Sequence, residues 1–168
     1  MGRYSQEELR ELIECPKTIV YPPRKEMTLD RGHLRNGMRL KSAENKHDFS
    51  VFMRQNRDFV ENFSIGLVYL PKDGTPEITL IRCNGPHGDV VENALDPVPH
   101  RGHHIHLARA ENIEAGFEPG KGATLTKDYA TFEDALGFFL RKCNVLDAEK
   151  YFANIVQLDL FSKREPDT

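Results

Sequence analysis

Five of the seven histidines in this chain, His87, His100, His103, His104 and His106, fall within a window of twenty residues. Histidine is the side chain whose ordinary pKa lies closest to neutrality, and it is also the commonest metal ligand. A run of this density therefore points to a site. On a β-strand, His104 and His106 would share one face about 7 Å apart, two strand rises, while His103, Ile105 and Leu107 would share the other. A neighbouring strand or the preceding loop can bring His87, and with it His100, to the first face. His103 is expected to pack beside Ile105. His33 and His47 stand alone in the sequence, as structural or surface histidines usually do.

Three uses of such a face remain open. In metal-free acid–base catalysis a neutral imidazole takes a proton from an attacking hydroxyl and a protonated partner gives one to the leaving group. On RNA the attacker is the ribose 2′-hydroxyl, so the protein need not supply a nucleophile. Arg82, Arg101 or Arg109 would stabilise charge on the phosphate, and Asn84 would orient a sugar or base edge. In the second use His104, His106 and Glu111 hold Zn²⁺ or another divalent transition metal. Their H-x-H-x4-E spacing resembles the cupin pattern, but the flanking glycines are misplaced. A long amphipathic helix also follows where a cupin would continue into strands. The third use is a non-catalytic nucleic-acid or protein-binding module in which the histidines are polar contacts. There is no P-loop, G-x-G-x-x-G, G-x-S-x-G or H-E-x-x-H to support a nucleotide-driven or triad enzyme.

The elements that position these residues belong to a chain of 168 residues, the length of one domain (1–168). Hydrophobic content of 39% and charged content of 29% argue against disorder and against a membrane span. The polar N-terminus lacks the apolar core of a signal peptide, and Cys15, Cys83 and Cys143 are scattered and odd in number. Both features lead to the expectation of free thiols and a cytoplasmic setting. Net charge is −3, yet residues 15–57 hold ten Lys or Arg against four Asp or Glu. A locally basic stretch of this kind attracts phosphate despite an acidic total.

The patterning predicts an α+β domain: an antiparallel, curved sheet packed with an N-terminal helix and a C-terminal amphipathic helix over 131–143. Ser5-Gln6-Glu7-Glu8 is a capping box, Leu9, Leu12 and Ile13 share a helix face, and Pro16 ends the helix. Residues 18–21 read as extended, and 22–37 as a basic, irregular segment exposed as a loop or arm. Strands are predicted over 38–42 and 47–55, with Phe52 breaking the alternation of the second. Residues 63–69 and 77–83 form a hairpin around the Asp73-Gly74 turn signal. Residues 84–108 are a His-rich loop and strand, with a long loop expected over 84–102. Residues 111–127 look irregular. Thr131 caps a helix whose stripe runs through Phe132, Ala135, Leu136, Phe139, Leu140 and Cys143. Residues 147–161 fit helix and strand equally.

The segment Leu80-Ile81-Arg82-Cys83-Asn84-Gly85-Pro86-His87, followed after a loop by His103-His104-Ile105-His106, resembles the TumE-like toxin family. The likeness spans roughly residues 63–140. It implies a toxin–antitoxin setting with an antitoxin protein as partner, a suspected RNA-cleaving (endoribonuclease) activity, and Arg82, His87, His104 and His106 lining the active face. The chain departs from that pattern in an N-terminal extension of some sixty residues, in Cys83-Asn84-Gly85, and in the 89–99 loop.

Overall fold

The computed structural model describes residues 2–87 and 101–162. Helix α1 (Gln6–Glu14) opens the chain, held by the expected capping box: Ser5 Oγ accepts from the Glu8 amide while the Glu8 carboxylate accepts from the Ser5 amide. Seven of the eight strands form one path, β1 (Lys17–Tyr21), β3 (His33–Ser42), β4 (Asp48–Asn56), β5 (Phe63–Leu70), β6 (Ile78–Asn84), β7 (His104–Leu107) and β8 (Ala123–Leu125). The short β2 (Thr28–Asp30) lies beside β1 on the outer edge of β3. Every named pairing is antiparallel. Helices α2 (Ala110–Glu114), α3 (Phe132–Lys142) and α4 (Glu149–Ser162) complete the chain. The architecture is the α+β arrangement the patterning predicts.

One sheet face carries the core. Phe49, Val51 and Met53 of β4 stand in register with Tyr69, Leu67 and Ile65 of β5, and Cys83 and Ile81 of β6 continue two of these rows. Directly paired residues point to the same side, so these rows form one apolar surface. Leu9, Leu12 and Ile13 of α1 and Phe132, Ala135, Leu136, Phe139 and Leu140 of α3 bury against it. Each large side chain removed from water in this way contributes about 1.5–3 kcal/mol. Helix α4 packs on α3, and its backbone leaves helical geometry at Phe152, inside the stretch whose pattern fitted two readings.

Two segments correct the sequence-based expectation. Residues 22–37 are exposed in large part but not irregular, because β2 and the first half of β3 form a hairpin there. Its turn is Arg31-Gly32, both at positive φ, which is the backbone of a tight two-residue hairpin turn. The hairpin carries no buried apolar row, so the periodicity that marks half-buried strands is missing from it. Residues 111–127 hold α2 and the edge strand β8. Three residues, none of them buried, give an edge strand too little pattern to read.

Candidate functional site

The adjacent strands β6 and β7, toward one end of the sheet, bring the predicted residues together through register. Arg82 pairs with His106, and Asn84 pairs with His104. All four therefore point to the face opposite the core, while Ile105 and Cys83 occupy the core side between them. The chain leaves β6 through Gly85-Pro86-His87. Gly85 donates to the Phe63 carbonyl at 3.0 Å, and a Cβ on it would lie 1.9 Å from the Glu61 carbonyl oxygen. Only glycine passes so close, and this path turns His87 back over the strands. The ring of His87 lies 5.0 Å from that of His104, and the ring of His104 lies 5.1 Å from that of His106.

Hydrogen bonds fix the orientation of these rings. His104 Nδ1 is 2.8 Å from the Gly102 carbonyl, and His106 Nδ1 is 2.8 Å from the Gly120 carbonyl. A carbonyl only accepts, so Nδ1 carries a proton in both rings, and Nε2 holds a lone pair whenever the ring is neutral. At His104 that lone pair faces Asn84 Nδ2 at 3.4 Å, and Asn84 Oδ1 accepts from Ser64 Oγ at 2.7 Å. Ser64, Asn84 and His104 thus form a donor chain in one direction across three strands. From the core side, the Tyr129 hydroxyl lies 3.0 Å from the Asn84 carbonyl and 2.8 Å from the His104 carbonyl. Burial holds its phenol protonated, far above the ordinary tyrosine pKa, so it serves as a donor there.

The remaining expected residues are placed differently. His103 sits on the core side with its ring 6.2 Å from Phe63 and 5.7 Å from Tyr129, as expected of a packing residue. Arg82 is half-buried and reaches Glu118 at 3.4 Å. Arg101 is exposed just before the strand. Arg109 lies past the strand end, at the N-cap of α2, with its guanidinium 3.7 Å from Glu111. It is not brought to the histidines by the ladder. Glu111 is exposed, and among the described residues no group of three His, Cys, Asp or Glu side chains is arranged to hold a metal ion. The set His104, His106 and Glu111 is therefore not assembled as a metal site. His100 and most of the expected 84–102 loop lie outside the described residues. The reading of isolated residues missed Ser64, Tyr129 and Gly120, because their contributions depend on pairing and loop return rather than on local spacing.

His104 is fully buried and His106 nearly so, at 0% and 7% exposure, whereas His87 is half-buried. Of the residues around the cluster, His87 and Arg82 keep part of their surface exposed. Comparison with protein-family models, curated proteins and solved structures returned no match. Among the described residues no helix is long and apolar enough to cross a membrane.

Proposed function

We propose that the His87–His104–His106 face is a metal-independent acid–base site that cleaves RNA by transesterification through the ribose 2′-hydroxyl. The observation that carries this reading is three imidazoles in ring-to-ring contact with Arg82 beside them in register. His106, with Nδ1–H on the Gly120 carbonyl, presents Nε2 as the base that takes the 2′-hydroxyl proton. A protonated His87 gives a proton to the departing 5′-oxygen, and Arg82 faces the charge that gathers on the phosphorus oxygens. His104 holds the two rings apart through its bonds to Asn84 and Gly102. The Arg82–Glu118 pair is no obstacle, since ion pairs open to solvent contribute only about 0–1 kcal/mol and a phosphate can displace the carboxylate. The likeness to TumE-like toxins makes an antitoxin protein part of this reading.

RNA cleavage by protein purified without a His-tag tests it. His106→Ala and His87→Ala should each lower cleavage by about 10²-fold or more, the usual share of a general acid or base, while the folded circular dichroism spectrum is retained. Unchanged cleavage by both variants would sink the reading.

One observation favours a second reading. Donation of Nδ1–H to a backbone carbonyl is also how metal-binding histidines are held. Cleavage lost on chelation and restored by Zn²⁺ would transfer the site to metal chemistry; cleavage resistant to EDTA keeps it with the paired imidazoles.

A further inference from the structure

The histidines occupy one end of a sheet face that continues well beyond them. The row of His106 and Arg82 runs on through Gly66, Phe52 and Gly37, each directly paired with the last. The row of His104 and Asn84 runs on through Ser64, Arg54 and Arg35. Arg35, Gly37, Arg39 and Arg54 are exposed, and Ser50 and Phe52 are half-buried, so no described helix covers this part of the face. The two rows contain three arginines and no carboxylate. Asp30 reaches Arg35 at 3.4 Å and Glu118 reaches Arg82 at 3.4 Å, both from outside the rows. Arg39 and Arg54 have no carboxylate partner among the described residues.

Phe52 is the residue that breaks the alternation of β4, and its place explains why. Its neighbours Val51 and Met53 face the core, so its own ring stands on the arginine side. There it leans across Gly66: a Cβ on that glycine would lie 2.2 Å from Phe52 Cζ and 2.3 Å from Cε1. The missing side chain at Gly66 lets the ring settle against the sheet as a platform. Three strand spacings, about 14 Å, separate Phe52 from His106 along the row, a span of a few nucleotides.

We propose that this surface binds a single-stranded segment of RNA, with one base stacked on Phe52 and the backbone followed by Arg35, Arg54 and Arg82 toward the histidines. That the strand leads to the histidines rests on the cleavage reading above. The aromatic platform selects the single strand, because a base offers its face to a side chain only when it is unpaired. The charge selects a polyanion over a neutral protein surface.

Fluorescence anisotropy with a labelled, unstructured 2′-O-methyl oligoribonucleotide tests the surface apart from cleavage, since this strand lacks the attacking hydroxyl. The single strand should bind saturably and more tightly than its duplex. Phe52→Leu and Arg54→Gln should each weaken binding about tenfold, as loss of one stacked base or phosphate contact does. Lys150→Gln, the same charge change on α4, should bind as the parent chain does. Urea midpoints establish that each variant is folded, and if Phe52→Leu is not, the exposed Arg54→Gln carries the test. Binding unchanged in the folded variants, duplex preferred over single strand, no saturable RNA binding, or an equal loss in Lys150→Gln would each overturn the proposal. Histidine-dependent cleavage without Phe52- or Arg54-dependent binding removes the platform alone. Platform-dependent binding without cleavage removes the catalytic reading and leaves this surface in place.

Discussion

At the scale of single residues, chemistry in this chain is decided by which side of the sheet a group faces. Cys83 lies in the core rows between Ile65 and Ile105, fully buried, and burial pushes its thiol well above the ordinary range. The Cys143 thiol, also fully buried, is pushed up to about 12. The thiolate is the reactive form, so neither reacts near neutrality in the folded chain. Cys15 is half-buried, with its Sγ 3.6 Å from the Leu12 carbonyl. Titration with Ellman's reagent at pH 7–8 should therefore find at most one reactive thiol in the native protein and three after denaturation. Rapid reaction of two or three without denaturant would contradict the burial. The histidines divide in the same way: His103 is spent on packing against Phe63 and Tyr129, while His104 and His106 are turned to the other side by position alone.

At the scale of elements, Lys17 joins three of them. It opens β1 with no exposed surface, and its ammonium donates to the carbonyls of Ile13 (2.6 Å), Cys15 (2.8 Å) and Cys143 (2.9 Å). These carbonyls lie at the C-terminal ends of α1 and α3, where helices leave acceptors unpaired. Burial draws the pKa of Lys17 below 10.5, and the Phe49 ring lies 4.9 Å from the ammonium. Lys17→Met keeps most of the stem and strands all three acceptors, so it should cost about 3 kcal/mol in urea denaturation. A loss under about 1 kcal/mol would mean that the helix ends find other partners. Nothing in the sequence separates this lysine from its exposed neighbours, since its burial needs the end of α3, which lies far along the chain at Cys143. Local spacing alone carries the Ser5 capping box, the α3 stripe, the 63–83 hairpin and the shared side of His104 and His106. The β2–β3 hairpin and β8 escaped because these stretches bury too few side chains to show a period. The Ser64–Asn84–His104 chain escaped because it exists only across three strands.

At the scale of the whole molecule, a chain of net charge −3 concentrates positive charge on one face of one sheet. Phosphates bound there displace counterions, so the affinity for a single strand should fall with salt at a logarithmic slope of about −0.7 per phosphate neutralised. Three arginines in the two rows predict a slope of about −2, shallower by about 0.7 in Arg54→Gln, measured by anisotropy over a KCl series. A slope near zero would mean that the arginines do not follow a phosphate backbone. The ladder between β6 and β7 carries one more consequence. The four residues of β7 alternate His, Ile, His, Leu, and their pairing with Asn84, Cys83, Arg82 and Ile81 sends the histidines one way and the aliphatic pair the other. The site is stored as a parity. Sliding β7 by one position would keep its composition, length and hydrogen-bonding capacity, yet exchange the imidazoles for Ile105 and Leu107 and press two polar rings into the core. One residue added or removed between His104 and His106 would therefore turn one imidazole toward the core even with every side chain of the strand retained, so the spacing within β7 matters to this face as much as the histidines themselves.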